Sequence, residues 1–319
     1  MFTSTIEKKQ KRLLIRMTIE TKLLIEQHIH GAYGVDFNKC NADELVWLSA
    51  KLFEHGIGGY FPTLVTDSVE NIKQQINEVK KAAQVKSPRS AKILGVHLEG
   101  IFINPEKKGI HNPEHFLPAA IKNFKLFEDE FIKIVTLAPE FDKGLIPYLK
   151  EQRVKIQAGH CVSGDLHNID GVTHLFNAMS GVSHRGNSTA LTALTDDRLF
   201  TEIICDGVHV NNDSIKLTFK SKPTDKIILI SDSLPITYSD LKEIIFADSK
   251  VFYDGNKATS KNGTIAGSTS LLDKIIKRLA NKGLMNLEFI NNPYRYHNID
   301  LCGKIIWDED FNILEVVNE

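Results

Sequence analysis

Six short motifs carry the residues of this chain that could do chemistry. They are HIH at 28–30, HLEG at 97–100, AGH ending at His160, THLFNAM from Thr173, DGVHV at 206–210 and SDS at 231–233. Imidazole nitrogens and carboxylate oxygens can hold a divalent transition ion and leave a position open for water. In HIH the two rings belong to alternate residues. On a strand alternate side chains point the same way, so both can reach one ion. Titratable residues in apolar strand contexts are costly unless paired or metal-bound. Taken together, the six motifs read as a metal site drawn from most of the length of the chain.

Each motif follows a short apolar or β-branched run, as in LLIEQHIHG, AKILGVHLEG, RVKIQAGH, FTEIICDGVH and KIILISDS. A polar residue just past the end of a buried strand is where a parallel barrel places its chemistry. The segments between these runs have helical periodicity. ADELVWLSAKLFEHG sets Leu45, Leu48, Leu52 and Phe53 on one face, with Gly56 able to end the helix. SVENIKQQINEVKKAAQ has Ser68 as its N-cap, and IKNFKLFED and KGLIPYLKEQ read as further helices. DLHNI reads as a short helix or turn. Strand and helix alternate at βαβ spacing, which implies a parallel sheet. Eight strands, near 23–30, 57–65, 92–98, 131–137, 154–160, 171–174, 200–206 and 227–232, predict closure into an α/β (β/α)8 TIM-type barrel over residues 22–290.

Residues 233–267 interrupt that alternation and read as a β-hairpin insertion with turns at Asp254-Gly255 and Asn262-Gly263. STSLLDKIIKRLANKG follows as a helix capped near Ser268. The tail, GKIIWDEDFNILEVVNE, has two short strands around Asp308–Phe311 that could pair with KRLLIRMTIE at the other end of the chain. That predicts a small, reduced β-domain from residues 1–21 and 300–319.

Composition narrows the class. The 319 residues are 42% apolar and 25% charged, ordinary values for a globular protein. A barrel of typical size leaves roughly 50 residues over. The net charge of −1 gives no general affinity for nucleic acid, and EKKQKRLLIR at the N-terminus reads as a solvated tail or an edge strand. The four cysteines, at 40, 161, 205 and 302, include no CxxC, which argues against a disulfide framework or structural zinc module. Cys161 and Cys205 follow or end apolar strands and read as reduced, buried thiols. No stretch of about 18 apolar residues is present, so no membrane span is expected. The N-terminus lacks the apolar core and small-residue cleavage site of a signal peptide. A cytoplasmic enzyme is the expectation.

HIHGAYGVDF, GVHLEGIFINPEKKGIHNP, LAPE, GH, THLFNAMSGVSHR, DGVHV, SDS and GTIAGS occur here in one order. In that order, over residues 25–293, the chain resembles the N-acetylglucosamine-6-phosphate deacetylase family of the amidohydrolase superfamily. HLEG-x-FINPEKKG-x-H and THLFNAM are specific to that family. Two features depart from its pattern. The segments before and after the barrel are shorter, and the TDA motif at the catalytic aspartate is SDS here, followed by LPITYSD.

The resemblance implies a divalent metal held by Glu99, His160 and His174, zinc or iron, at one or two ions per chain. His28 and His30 match the HxH that some members use for a second ion, with Glu99 bridging. It implies Asp232 as general base and acid, and His111 as the contact to the acetyl oxygen. His209 would bind the sugar, and Asn177 and Ala178 would line the same pocket. Arg185 would hold the sugar 6-phosphate, reaching across the interface of a homodimer. The implied reaction turns N-acetylglucosamine 6-phosphate into glucosamine 6-phosphate and acetate. Two other readings compete: a deacetylase of a related amino-sugar phosphate such as N-acetylgalactosamine 6-phosphate, and a non-catalytic sugar-phosphate-binding homologue.

Overall fold

The structure, a computed structural model, describes residues 18–186 and 188–318. Its first strands are β1 (Ile19–Lys22), β2 (Leu24–Ile29), β3 (Gly31–Ala32), β4 (Val35–Asp36), β5 (Ile57–Val65), β6 (Lys92–Ile93), β7 (Val96–Glu99), β8 (Ile132–Leu137) and β9 (Lys155–Ala158). There follow β10 (Gly171–Val172), β11 (Phe200–Ile204), β12 (Ile227–Ile230), β13 (Glu243–Phe246), β14 (Ser249–Tyr253), β15 (Ala258–Ser260), β16 (Ile265–Gly267), β17 (Lys304–Trp307) and β18 (Ile313–Val317).

Eight of these form one parallel sheet in the order β12-β11-β10-β9-β8-β7-β5-β2. The two edges meet just past their ends, where a parallel bridge joins Ile29 to Ser233. The Asp232 amide donates to the His28 carbonyl at 2.9 Å and the His30 amide to the Ser233 carbonyl at 2.8 Å. The sheet is thereby a nearly closed barrel, as the spacing of the apolar runs predicts.

Helices bury their apolar faces on its outside. The helix Ala42–Glu54 is fixed by a capping box between Asn41 and Glu44, and its Leu45, Leu48 and Leu52 are fully buried. Each such side chain contributes on the order of 2 kcal/mol of burial free energy. Ser68 caps Val69–Ala83 as expected, its hydroxyl accepting from the Asn71 amide. Helix Glu288–His297 packs against β12 and β2 and brings Tyr294 and Tyr296 under the barrel, where Tyr294 Oη donates to the Leu23 carbonyl at 2.8 Å.

Several local expectations are corrected. The strand expected at 92–98 is broken between β6 and β7, where Gly95 takes φ 149° and a Cβ would lie 2.2 Å from Lys133 Cγ. IKNFKLFED yields only the single helical turn Ile121–Phe124, with Phe124 and Phe127 both buried in the core. Ser268 does not cap the last barrel helix, which runs Leu272–Asn281 with no side-chain cap. Ser268 instead bridges Ser233, its amide donating to the Asp232 carbonyl at 2.8 Å.

The insertion at 233–267 is a four-stranded antiparallel sheet, β13-β14-β15-β16, with positive φ at Gly255 and Gly263 in the expected turns. Its first turn was not legible: Ala247 and Asp248 both take positive φ without a glycine. At the chain ends β1, β17 and β18 form a three-stranded antiparallel sheet around the fully buried Trp307. Of the N-terminal stretch expected to pair there, only Ile19 onward is seen to do so. The rest of KRLLIRMTIE before Thr18, and the basic run EKKQKRLLIR, lie outside the described residues. Cys40, Cys161 and Cys205 are free and buried, and Cys302 is exposed. No helix among the described residues is long and apolar enough to cross a membrane.

Candidate active site

The motifs converge at the C-terminal ends of the barrel strands. His28 and His30 come from the end of β2, and Glu99 is the last residue of β7. His160, His174 and Asp232 each lie two residues past β9, β10 and β12. These last three take φ of 49°, 31° and 51°, a left-handed conformation that non-glycine residues rarely adopt. Strain of that kind is held in place by the surrounding structure and clusters at functional sites.

Glu99 is the hub. Its Oε1 lies 3.1 Å from His160 Nε2 and 2.9 Å from His174 Nε2, and those two nitrogens are 3.1 Å apart. Its Oε2 lies 3.0 Å from His30 Nε2 and 3.5 Å from His28 Nε2. Asp232 Oδ1 closes the second cluster at 3.2 Å from His30 and 3.5 Å from His28. His111 Nε2 stands 3.7 Å from Glu99 Oε2. His28, His30 and Asp232 form one group whose ligand atoms could share an ion, and Glu99, His111 and His160 another.

Hydrogen bonding shows what these atoms face. His160 Nδ1 donates to the Lys107 carbonyl at 2.7 Å, and His30 Nδ1 to the Thr63 carbonyl at 3.1 Å. His28 Nδ1 donates to Glu202 Oε2 at 3.1 Å, and its Nε2 is buried without a hydrogen-bond partner. Because the Nδ1 atoms carry these protons, the Nε2 lone pairs point at carboxylate oxygens. In the neutral rings these lone pairs would repel the carboxylates, so each contact calls for a proton or a metal ion between the two atoms. Two ligands each about 2.1 Å from a tetrahedral ion sit about 3.4 Å apart, which matches the spacings here. The donor set therefore fits a divalent metal.

The electrostatics agree. Burial opposes the charge on Glu99, but His28, His160 and His174 outweigh it and hold the carboxyl well below its usual range. Asp232 is also lowered: burial is outweighed by its hydrogen bond to His30 and by His28. Burial would lower His30, yet Asp232 and Glu99 raise it to about 9. This excess of negative charge is what a divalent ion neutralises.

Above the cluster lies a cavity of about 300 Å³. Of the candidate residues, His30, Glu99, His111, His160 and His174 line it, and so do Asn177, Ala178, His209 and Asp232. His28 lies beneath, fully buried. Arg185 is not brought to the cavity. It sits on an exposed loop, its Nε donating to His184 Nε2 at 3.1 Å. Ser231 and Ser233, where the aspartate motif departs from TDA, do not line the cavity either. Ser233 Oγ donates to the Gly31 carbonyl and the Ser231 amide to Glu26 Oε2, so both serve the barrel seam.

Two polar side chains are oriented from behind. The Thr66 hydroxyl oxygen accepts from the Ile101 amide at 2.8 Å and gives its proton to His111 Nδ1 at 2.8 Å. Gly100, at φ 115°, makes room, since a Cβ there would lie 2.0 Å from Thr66 Oγ1. Burial, with His160 nearby, keeps His111 neutral by lowering it well below the usual range. Its Nε2 therefore carries the remaining proton. Asp206 Oδ2 accepts from His209 Nδ1 at 2.8 Å, which turns Nε2 of that ring toward the cavity.

The sequence reading missed Glu202, although a glutamate inside the apolar run FTEIIC was a visible signal. It also missed the walls: Glu106 and Lys107 on one side, and Phe246, Thr264 and Ile265 from the inserted sheet on the other. Phe246 packs its ring 5.2 Å from that of His30.

A comparison with protein-family models finds no match. Among curated proteins the chain is similar to the N-acetylglucosamine-6-phosphate deacetylase of Bacillus subtilis (strain 168). It is 36% identical over 261 residues, which is 77% of this chain and 65% of that protein. It is 31% identical over 309 residues to the mouse enzyme of the same name, 88% of this chain and 73% of that protein. The N-acetylgalactosamine-6-phosphate deacetylase of Escherichia coli O157:H7 is 29% identical over 80% of this chain and 70% of its own length. The chain thus spans about two thirds to three quarters of these relatives. Among solved structures, N-acetylglucosamine-6-phosphate deacetylase from Thermotoga maritima superposes with a TM-score of 0.86 at 25% identity. It covers 96% of this chain and 88% of that one. On the site geometry and these likenesses together, the chain belongs to the N-acetylglucosamine-6-phosphate deacetylase family of the amidohydrolase superfamily.

Proposed function

We propose that this chain hydrolyses the acetamide of N-acetylglucosamine 6-phosphate, giving glucosamine 6-phosphate and acetate. The observation that carries the reading is Glu99, whose two oxygens face two histidine pairs directly beneath the cavity. Glu99, His160 and His174 would hold one divalent ion, zinc or iron. His28 and His30 would hold a second, with Glu99 shared. Such an ion, when bound, supplies Lewis acidity that polarises a carbonyl and makes water acidic near neutral pH.

The remaining work falls to the chain. Asp232, ionised and lining the cavity, takes the proton of the attacking water and delivers it to the departing amine. His111 donates from Nε2 to the acetyl oxygen as charge builds there. His209, braced by Asp206, holds a sugar hydroxyl, and the Asn177–Ala178 turn lines the sugar's other side. Arg185 grips the 6-phosphate of a neighbouring subunit's substrate, a planar fork matched to two phosphate oxygens. That it does not line its own chain's cavity is in keeping with a homodimer. A phosphorylated sugar substrate is in keeping with a cytoplasmic location.

The likeness to the E. coli relative keeps the galactosamine epimer as a second reading. The test is acetate release by zinc- or iron-loaded protein from N-acetylglucosamine 6-phosphate, its galactosamine epimer and unphosphorylated N-acetylglucosamine. Fastest turnover of the first is expected. A preference for the epimer would move the assignment, and no acetate from any of them would leave the non-catalytic reading.

A further inference from the structure

Beneath the candidate metal centre the barrel interior holds a fully buried carboxylate to which the chemistry above assigns nothing. Glu202 points inward from the middle of β11 and is 1% exposed. All of its acceptor capacity is used. Oε1 accepts from Gln27 Nε2 at 2.6 Å and Gln157 Nε2 at 2.9 Å. Oε2 accepts from His28 Nδ1 at 3.1 Å and from the His174 backbone amide at 3.3 Å. Gln27 is itself held, since its Oε1 lies 2.9 Å from His297 Nε2 on the C-terminal helix. Four donors in a closed cage fix both the position of the carboxylate and the direction of each oxygen.

This arrangement singles out one histidine. His30 and His160 are oriented by backbone carbonyls, of Thr63 and Lys107, which no substitution can remove. His28 is oriented by a side chain. An ionised carboxylate can only accept, so its contact with Nδ1 puts the ring proton there and leaves Nε2 as a lone pair. That Nε2 has no hydrogen-bond partner and lies 3.5 Å from both Glu99 Oε2 and Asp232 Oδ1. A carboxylate behind a ligating histidine typically changes metal affinity or activity 10–100-fold when it is removed.

We propose that Glu202 is a positioning residue. By accepting from His28 Nδ1 it presents His28 Nε2 to the Glu99–Asp232 pair, and occupancy of the second cation position therefore depends on it. This rests on the reading of His28 and His30 as the ligands of a second ion. The same Oε2 also accepts from the His174 amide, so one oxygen ties the two histidine groups together.

The substitution Glu202→Gln separates tautomer from shape. The amide oxygen must face the donors of Gln27 and Gln157, which leaves the NH2 group facing His28 Nδ1. His28 then favours accepting at Nδ1 and carrying its proton on Nε2, a tautomer that must be reversed before the ring can ligate, which weakens binding without abolishing it. Zinc bound per chain would be counted by elemental analysis and native mass spectrometry for wild type, Glu202→Gln, His28→Ala and the double variant. Acetate release would be measured alongside. Wild type is expected to hold two ions at micromolar zinc and each variant one, with no further loss in the double variant. Raising zinc by roughly 10–100-fold is expected to refill Glu202→Gln but not His28→Ala. Should Glu202→Gln fail to fold, Glu202→Asp keeps an acceptor and is expected to bind the second ion with reduced affinity.

A wild-type count of one ion, or an unchanged second-ion affinity in Glu202→Gln or Glu202→Asp, overturns the proposal. If the variants lose the ion while wild type releases no acetate from any sugar, Glu202 keeps its role and the deacetylase reading fails instead.

Discussion

The surroundings of Glu99 and those of Arg185 are built in opposite ways. Around Glu99 the histidines are buried, and His28, His30 and His160 each have an Nδ1 partner behind them: a carboxylate, a carbonyl of the barrel wall or a carbonyl of the loop after β7. Around Arg185 the loop is exposed, and among the described residues the guanidinium is hydrogen-bonded to the adjacent His184. The difference suits the two tasks proposed for these regions. Bond-making chemistry needs atoms fixed within tenths of an ångström, which strand ends of a closed barrel can supply. Holding a doubly charged phosphate needs one long cation, which a loop can carry and a second subunit can lend. The chemistry should therefore fail when the barrel end is altered, and recognition should fail when the loop is.

The largest effect is expected from metal removal. A strong chelator should abolish acetate release, and added zinc or iron should restore it. The melting temperature should fall with the ion and recover with it, because a ligand that binds only the folded state stabilises it by mass action. An unchanged melting temperature after complete stripping would mean that the Glu99 cluster holds no ion.

Next comes Asp232→Asn, which keeps the shape but removes the proton acceptor. It should lower kcat by at least about 10²-fold with KM nearly unchanged. Near-normal turnover would place the base elsewhere and leave Asp232 as a turn residue.

Arg185→Ala should weaken kcat/KM for the 6-phosphate sugar by about 2 kcal/mol or more, on the order of 30-fold, mainly through KM. Activity on the unphosphorylated sugar should hardly move. Equal effects on both would remove the phosphate assignment. Mixing Arg185→Ala chains with Asp232→Asn chains should restore activity, since one site of the mixed dimer then has both residues intact. Exchange of subunits without rescue would place the arginine in its own chain's site.

The smallest effect on activity is expected at the far end of the molecule. Trp307 is fully buried in the terminal sheet, its indole N–H donating to Thr21 Oγ1 at 2.8 Å. Trp307→Ala should cost about 3–5 kcal/mol of stability, read by denaturant unfolding, and leave kcat within about twofold in protein that remains folded. A large loss of turnover in folded variant would show that the small sheet reaches the site.

The barrel was legible because its signal is local. LLIEQH, VKIQAGH and KIILIS announce themselves as buried strands, and each chemical residue lies at or within two residues of the end of its run, so His28, His160 and Asp232 could be placed at strand ends without contacts. The break at Gly95 was not legible, because it depends on Lys133 of the neighbouring strand. Ser268 read as a helix cap because serine before an apolar run usually is one. Here it is drawn into the barrel seam by a bridge to Ser233, a partner that no local pattern reveals. Glu202 could have been noticed as a charge in an apolar strand. Its role could not, because Gln27, Gln157 and His28 meet it from strands far away in sequence. Phe246 and Thr264 reach the cavity only because the inserted sheet folds back over it.

The central claim is that the strand ends around Glu99 form a cation site, and elemental analysis of the purified wild-type protein tests it most directly. Protein from medium supplemented with zinc and iron should carry one or two equivalents of divalent transition ion per chain, and Glu99→Gln should carry markedly fewer. Folded wild-type protein that contains none would contradict the account.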